Sequence, residues 1–316
     1  MSSQNRIKLI ATAPSPKFNE KLTVQSYQLA QRQGLPLECK VQLTRSRIKQ
    51  WYEKWDGKVY VAFSGGKDST VLLHIVRDMF PDVPALFVDT GLEYPEIREF
   101  VKGFDGVVWA KPNQTFKEVL DKHGFPVISK AVADAIRRIQ SPGSSEKTRN
   151  KALYGDERGS YGKLPNKWRF LLDAPFKISE RCCDVMKMRP AQAYGRRTGR
   201  VGIVGTMAAD SNKRMAQYLK HGCNIMNKGL PKCTPMGFWL DTDVWDYIHQ
   251  NSVPYCPIYD TGVHHTGCMF CMFGVHKESE PNRFQCMKNT HPRLHKYCME
   301  NLGIKEVLDY IGVKSE

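Results

Sequence analysis

The sequence lacks any long apolar run. No stretch approaches the roughly 18 consecutive apolar residues that a membrane-spanning helix requires, and Leu9-Ile10-Ala11 is too short for the hydrophobic core of a signal peptide. Acidic residues are also few, with 32 Asp and Glu against 47 Lys and Arg in 316 residues, which gives a net charge of +15. These absences argue against a membrane protein, and they predict a cytoplasmic protein with a polyanionic partner.

The positive charge is concentrated in one third of the chain. Between Lys130 and Lys232 there are 22 Lys and Arg but only 8 Asp and Glu, an excess of 14 within 103 residues, so the rest is almost neutral. This basic third predicts binding of nucleic acid, a nucleotide or an acidic protein. Ordinary solvated surface is the alternative.

Strand and helix patterns alternate along the first two thirds of the chain. Short apolar runs predict strands at residues 59–63, 84–88, 106–109 and 201–204. Helical spacing of apolar residues predicts helices at 43–55, 70–79, 95–100, 116–123, 181–194, 210–220 and 241–250. The alternation predicts an α/β fold with a doubly wound, mainly parallel sheet, whose ligand lies at the carboxyl ends of the strands.

Three regions are predicted. Residues 1–56 form an N-terminal arm, loose over 1–20, followed by a helical segment, and 57–240 form the nucleotide-binding α/β domain. Residues 241–316 form a C-terminal helical, cysteine-containing subdomain. A Ser-, Gly- and charge-rich insertion at about 140–166 is predicted to be a long loop or a segment that orders on binding.

The loop Ser64-Gly65-Gly66-Lys67-Asp68-Ser69 lies between the first predicted strand and a helix. Backbone N–H groups and the positive end of the helix favour an anion there, and Lys67 adds a charge. The loop is not a Walker A loop, because Val61 stands where that loop needs its first glycine, and no Gly-x-Gly-x-x-Gly pattern occurs. A phosphate site is predicted; the alternative is a glycine turn that begins a helix.

Two cysteine pairs stand far apart in the chain. Cys182-Cys183 and Cys268-x-x-Cys271 are 85 positions apart, and four thiolates could hold one zinc ion or a 4Fe-4S cluster. The adjacent pair favours the cluster, since neighbouring side chains diverge and reach two irons more easily than one zinc. Two unrelated buried thiol pairs are the alternative, and one ligand could be replaced by another cysteine: Cys223, Cys233, Cys256 or Cys286.

The motif SGGKDS after a strand resembles the PP-loop of the adenine nucleotide α-hydrolases, the ATP pyrophosphatases. The resemblance implies cleavage of ATP between the α and β phosphates, with Ser64, Gly65, Gly66, Lys67, Asp68 and Ser69 holding pyrophosphate. Lys67 and Asp68 would be catalytic, and Asp68 would help to place Mg²⁺. Asp89 and Thr90 match the segment that lies beside the adenosine in such proteins; capping of the following turn is the alternative for Asp89.

The cysteine spacing resembles the phosphoadenosine phosphosulfate (PAPS) reductase family. Its adenylylsulfate reductases carry a Cys-Cys pair and a later Cys-x-x-Cys that ligate a 4Fe-4S cluster. That resemblance covers residues from about 59 to 271, with further family-like segments at 205–211, 243–248 and 257–260. It implies nucleotide contacts from Gly205 and Arg214; a solvated helix arginine is the alternative for Arg214.

Two departures set this sequence apart from the sulfonucleotide reductases. Those enzymes carry a degenerate loop, whereas SGGKDS is intact here, and the Glu-Cys-Gly-(Ile or Leu)-His motif that bears their nucleophile is absent. The combination is more similar to the DndC-type proteins of DNA phosphorothioation and to tRNA thiolation enzymes.

The main functional hypothesis is an ATP pyrophosphatase with Mg²⁺ and a 4Fe-4S cluster, or zinc in its place. It would adenylate a nucleic acid, DNA or tRNA, for sulfur transfer from a donor protein such as a cysteine desulfurase. One alternative is an adenylylsulfate or PAPS reductase that binds an adenylylated nucleotide and releases sulfite. Another is a nucleotide-gated nucleic-acid-binding component without turnover.

Overall fold

The computed structural model describes residues 24–156, 162–226, 231–264 and 266–316. The predicted loose arm at 1–20 lies outside the described residues, as does part of the basic insertion, 157–161. No helix within the described ranges is both long enough and apolar enough to cross a membrane.

Thirteen α-helices and eight strands lie in the described part of the chain. The helices are α1 (Val24–Gln33), α2 (Leu37–Lys54), α3 (Lys67–Met79), α4 (Pro95–Lys102), α5 (Phe116–His123), α6 (Lys130–Gln140), α7 (Glu146–Tyr154), α8 (Arg189–Thr198), α9 (Asn212–His221), α10 (Asp241–Gln250), α11 (Arg283–Thr290), α12 (Pro292–Lys296) and α13 (Ile304–Tyr310). The strands are β1 (Val59–Ala62), β2 (Ala85–Val88), β3 (Val107–Ala110), β4 (Val127–Ile128), β5 (Val201–Val204), β6 (Asn224–Ile225), β7 (Lys232–Cys233) and β8 (Met272–Phe273).

Six strands form the main sheet, in the order β3-β2-β1-β5-β7-β6. All neighbours are parallel except β6 and β7, so the prediction of a mainly parallel α/β sheet is confirmed. The strand order reverses between β1 and β5, and the crevice at such a switch point is where ligands bind in open α/β sheets. The glycine loop follows β1, and Gly205 follows β5, so both lie at this crevice.

The helix after the glycine loop begins three residues earlier than its apolar pattern predicts. Gly66 is extended (φ −78°, ψ 154°) and precedes the first helical residue, Lys67. The hydroxyls of Ser69 and Thr70 donate to the Gly66 carbonyl oxygen at 2.8 and 3.0 Å. Lys67 and Asp68 therefore belong to the first turn of α3, where backbone N–H groups have no partner within the helix.

Of the two alternatives predicted for the insertion, the long loop is wrong over Glu146–Tyr154, because these residues form α7. Ser145 caps this helix by accepting from the Thr148 N–H, and Glu146 places a carboxylate in its first turn. Only Ala152 of the helix is buried, so the sequence carries no apolar stripe that would reveal it. The helix packs on α6.

A buried ion pair joins the N-terminal helices to the sheet domain. The Lys40 ammonium on α2 lies 2.7 Å from both carboxylate oxygens of Asp243 on α10, and the Lys40 side chain is 2% exposed. Asp243 also accepts from the Leu240 N–H at 2.7 Å, so its charge is well satisfied. α2 and α10 both pack against α3, which carries the glycine loop at its start.

We expect Asp243→Asn to lower the free energy of unfolding by about 3 kcal/mol, because it leaves the Lys40 ammonium buried without its counter-charge. Urea denaturation measures the change. Lys49→Gln is the matched control: it breaks the exposed Lys49–Glu53 pair, with side chains 65% and 62% exposed, and should cost no more than about 0.5 kcal/mol. Equal losses in the two variants would contradict the structural role given to the buried pair.

Candidate functional site

The glycine loop is held by its own serine side chains and by a neighbouring loop. The Ser69 hydroxyl accepts from the Ser64 N–H at 3.1 Å, and the Ser64 hydroxyl accepts from the Gly66 N–H at 3.4 Å. The Lys67 N–H donates to the Tyr259 hydroxyl at 2.9 Å. A Cβ on Gly66 would lie 2.6 Å from the Thr266 hydroxyl oxygen, so this position requires glycine.

The Lys67 ammonium lies between two carboxylates. It is 2.7 Å from Asp68 and in direct contact with Asp241 at the start of α10, although its own side chain is only 3% exposed. Burial alone would lower the pKa of Lys67, but Asp68 and Asp241 outweigh it and raise that pKa. Burial raises the pKa of Asp68 against the pull of Lys67, and Asp210 adds further negative charge. The ammonium of Lys67 in the loop and the carboxylates of Asp68 and Asp241 thus lie together at the start of α3.

Asp89 and Thr90 follow β2 and lie near the same end of the sheet. Asp89 accepts from Arg98 at 3.0 Å and from the Gly91 N–H at 3.4 Å, so it does cap the following turn. The Thr90 hydroxyl donates to the buried Glu93 carboxylate at 2.8 Å. These contacts make the segment rigid and leave the nucleotide role of Asp89 and Thr90 as a prediction.

Gly205 and Arg214 border the other side of the crevice. A Cβ on Gly205 would approach the Asp68 carbonyl oxygen to 2.9 Å, so β5 ends tightly against the first turn of α3. Arg214 pairs with Asp210 and lines a cavity of about 250 Å³ together with Lys232. The structure therefore places Arg214 on the basic wall of a cavity that begins next to Gly205, at Thr206.

A short second sheet brings the two cysteine segments together. β4 pairs in parallel with β8, which begins one residue after Cys271. Phe125, two residues before β4, pairs with the segment that leads to Cys182. Its N–H donates to the Lys177 carbonyl at 2.8 Å, and its carbonyl accepts from the Ser179 N–H at 3.0 Å. Residues 177–179 and 272–273, about ninety positions apart in the sequence, thus both pair with residues 125–128. We call this paired backbone the frame.

All four predicted cysteines line a single pocket. The wall is completed by Leu92, Phe116, Pro126, Met186 and Lys187. Cys182 and Cys183 come directly before a π-helical turn, Asp184–Met188, that continues into α8; such turns are frequent at functional sites. None of the ten cysteines of the chain forms a disulfide in this structure. The two cysteine pairs share one pocket, so they are not the two unrelated thiol pairs of the alternative hypothesis.

The thiols differ in acidity. The hydrogen bond from Cys182 lowers the pKa of Cys183 to about 5 despite burial, with Lys130 and Lys187 contributing positive charge, and the same bond raises the pKa of Cys182. Burial raises the pKa of Cys268 to about 11 and also raises that of Cys271. Burial would lower the pKa of Lys187, but Cys268 and Glu93 raise it, so this residue stays charged beside the thiols.

The donor set of the pocket fits an iron–sulfur cluster. A 4Fe-4S cluster takes one thiolate per iron, so its ligands must surround a space, and four thiols surround this pocket. Lys130 and Lys187 lie where they can offset the negative charge of four thiolates. Among the described residues no three His, Cys, Asp or Glu side chains are arranged to hold a metal ion, so the 4Fe-4S cluster and the zinc alternative both stay predictions.

The remaining cysteines considered as ligands lie elsewhere. Cys223 and Cys233 are buried beside each other at β6 and β7, Cys256 is buried at the turn before Pro257, and Cys286 is exposed on α11. None of the four lines the thiol pocket.

Four residues at these sites were not predicted from the sequence as functional. Lys187 stands four positions after Cys183, the spacing of one helix face, which was an available signal. Glu93 lies 3.8 Å from the Lys187 ammonium and bonds to Thr90, so it joins the thiol pocket to the nucleotide segment. Asp241 and Tyr259 reach the loop from 174 and 192 positions away, and no local pattern marks such contacts.

The parallel sheet, the loop at its switch point and the neighbouring thiol pocket define an α/β protein of the PP-loop class. The model of the phosphoadenosine phosphosulfate reductase domain matches residues 58–127 and 107–273, and the chain belongs to that family.

Individual relatives are distant. An uncharacterized protein of Methanocaldococcus jannaschii is 25% identical over 264 residues, which cover 79% of this chain and 49% of that protein, so the chain spans about half its length. An adenosine 5'-phosphosulfate reductase of Geobacillus kaustophilus is 21% identical over 252 residues, 79% of this chain and 88% of that enzyme. The crystal structure of a PAPS reductase from Candida auris has a TM-score of 0.41 and 17% identity, over 74% of this chain and 96% of that one.

We expect Gly124→Ala to loosen the frame that aligns the cysteines. Gly124 has φ +98°, and an added Cβ would lie 2.4 Å from the Lys177 carbonyl group, so the variant should lose more than about 2 kcal/mol of stability in urea. Its pocket thiols should also react faster with a thiol reagent.

Gly199→Ala is the control for this substitution. Gly199 also has a positive φ, +67°, but an added Cβ would meet nothing within 4 Å. It should lose only about 1 to 2 kcal/mol and leave thiol reactivity unchanged. Similar thiol reactivity in both variants would contradict the role given to Gly124.

Proposed function

We propose that this protein cleaves ATP to AMP and pyrophosphate, adenylates an acceptor oxygen of a nucleic acid and replaces that oxygen by sulfur. The observation that carries the proposal is the intact SGGKDS loop, with the buried Lys67 between Asp68 and Asp241, joined to a pocket of four thiols. On the pocket side, the Met269 N–H donates to the Leu92 carbonyl at 2.8 Å, which ties the segment between Cys268 and Cys271 to the turn that follows β2.

The loop suits the pyrophosphate leaving group. In the first step the acceptor oxygen attacks the α-phosphorus of ATP, the bond from that phosphorus to the bridging oxygen breaks, and pyrophosphate leaves with the electron pair. Lys67 and the first turn of α3 stabilise the negative charge on pyrophosphate. Asp68 and Asp241, which face Lys67, are suited to hold the Mg²⁺ of MgATP.

The second step forms the carbon–sulfur or phosphorus–sulfur bond. A sulfur nucleophile attacks the adenylated centre, the bond to the activated oxygen breaks, and AMP leaves with that oxygen. The sulfur comes, as the outer sulfur of a persulfide, from a donor protein such as a cysteine desulfurase. After the attack this sulfur is still bonded to the persulfide cysteine, and a second thiol then cleaves that S–S bond, forming a disulfide with the cysteine and leaving the sulfur on the acceptor. The basic third, from Lys130 to Lys232, supplies the charge that attracts the nucleic-acid acceptor, DNA or tRNA.

Cys182, Cys183, Cys268 and Cys271 would hold the 4Fe-4S cluster. When bound, the cluster offers an electron-transfer or sulfur-binding centre beside the nucleotide. Lys187 lies between Cys268 and Glu93. Its ammonium therefore places a positive charge between the thiols and the segment that carries Asp89 and Thr90.

Reductive release of sulfite from adenylylsulfate or PAPS is the second candidate. Relatives that carry the name adenosine 5'-phosphosulfate reductase favour it. The missing Glu-Cys-Gly-(Ile or Leu)-His motif argues against it, since no matching thiol nucleophile can be assigned.

Lys67→Ala should weaken MgATP binding about tenfold or more, because a buried charge at the phosphate loop is lost. Isothermal titration measures the affinity, and pyrophosphate release is followed with and without RNA and DNA. Lys58→Ala, an exposed lysine at the opposite end of β1, is the control and should bind normally. Unchanged affinity in Lys67→Ala would refute the loop assignment, and thioredoxin-dependent sulfite release without ATP turnover would establish the reductase instead.

Cys268→Ser should abolish the broad visible absorbance of an iron–sulfur cluster in protein purified without oxygen, and should lower bound iron and sulfide together. Cys286→Ser is the control, because this exposed cysteine lies outside the pocket. Stoichiometric zinc without iron or visible absorbance in the wild-type protein would replace the cluster by a zinc site.

A further inference from the structure

A group of three aromatic side chains, two exposed and one partly buried, lies within the basic third and beside it. The ring centroids of Trp168 and Phe170 are 6.2 Å apart, and those of Phe170 and Tyr310 are 5.8 Å apart. Phe170 is 41% exposed and Tyr310 is 36% exposed, which is unusual for large apolar side chains so close to one another. We call these three residues the aromatic surface.

The rings are held in place from beneath. The Tyr310 hydroxyl donates to the Phe170 carbonyl at 3.3 Å. Phe176 packs edge-on against Tyr310 with centroids 5.4 Å apart, and His276 packs edge-on against Trp168 at 5.0 Å. A rigid set of aromatic faces binds a flat ligand with less loss of conformational entropy than mobile side chains would.

Positive charge lies along the segment that carries Trp168 and Phe170, whereas Asp309 precedes Tyr310 on α13. The Lys167 ammonium lies 5.2 Å from the Trp168 ring centroid. Residues 162–177 contain Lys163, Lys167, Arg169 and Lys177 against one carboxylate, Asp173. The three lysines form no ion pair with any described carboxylate, so their charges are available to a partner.

The aromatic surface is connected to the thiol pocket through the short second sheet. The Trp168 ring contacts His276, five residues after Cys271, and β8 lies between those two positions. The segment that carries Phe170 continues to Ile178, which pairs with Phe125 next to β4. Both cysteine segments therefore lead directly to this surface.

We propose that the aromatic surface binds single-stranded nucleic acid, with bases stacked on Trp168, Phe170 and Tyr310 and phosphates near Lys163, Lys167 and Lys177. Exposed rings interleaved with cations are the combination that such strands recognise, because every base has a stacking face and every linkage a charge. An apolar protein partner would leave those lysines buried without counter-charges. The inference rests on the proposed function for its purpose, since it gives the acceptor a place to bind beside the pocket.

Fluorescence anisotropy with labelled single-stranded RNA and DNA of about 16 nucleotides tests this surface without ATP. The double variant Phe170→Ala/Tyr310→Ala should bind about tenfold or more weakly. Lys167→Ala should reduce the slope of log affinity against log salt by about 0.7. Tyr27→Ala, which removes a 59% exposed aromatic side chain on α1, is the matched control and should bind like wild type.

A milder variant protects the test against misfolding. Phe170→Leu keeps apolar bulk and should retain the wild-type urea midpoint while still losing affinity for single strands. Unchanged affinity in both Phe170 variants, or equal binding of a duplex of the same sequence, would overturn the proposal. An unchanged nucleic-acid affinity combined with loss of a co-purifying protein would identify a protein-binding face instead.

The outcome is separable from that of the proposed function. Pyrophosphate release is measured in parallel on the same proteins. Strand binding that depends on Phe170 and Tyr310, in a wild-type protein that releases no pyrophosphate, would support this surface and reject the ATP chemistry. If nucleic acid stimulates pyrophosphate release equally in wild type and in the double variant, the result would support the ATP chemistry and reject the aromatic surface as the binding site.

Discussion

The pairing of residues 125–128 with two distant strips of backbone is the constraint on which the candidate site depends. One strip carries Lys177 and Ser179 and leads to Cys182, and the other begins just after Cys271. Backbone hydrogen bonds must be satisfied when they are buried, so this short frame determines where both cysteine pairs lie. Gly124 permits the close approach because it has no side chain.

Two hydrogen bonds tie the chain around the later cysteines to the α/β core. The Met269 N–H, between Cys268 and Cys271, donates to the Leu92 carbonyl, and the Lys67 N–H in the glycine loop donates to the Tyr259 hydroxyl. Lys187 adds an electrostatic link, since it faces both Cys268 and Glu93.

Four of the six strands of the main sheet could be predicted because they read as short apolar runs, and β1 and β2 are buried at three of their four residues. The two-residue strands β6 and β7 are too short to show such a run. The helix α7 could not, because it buries only Ala152 and is stabilised by its cap and by packing on α6. The start of α3 was also misplaced, since Gly66 and the hydroxyls of Ser69 and Thr70, rather than an apolar pattern, set that boundary.

Local patterns and motif spacing were enough to predict the glycine-loop motif, the parallel α/β fold, the family and the four cysteines that share a pocket. The distant groups that face the loop and the thiols become visible only in the folded chain. Asp241 and Tyr259 reach the loop, and Glu93 reaches the Lys187 ammonium, through the folded chain. Contacts of that kind follow from the packing of elements far apart in sequence, and no local periodicity encodes them.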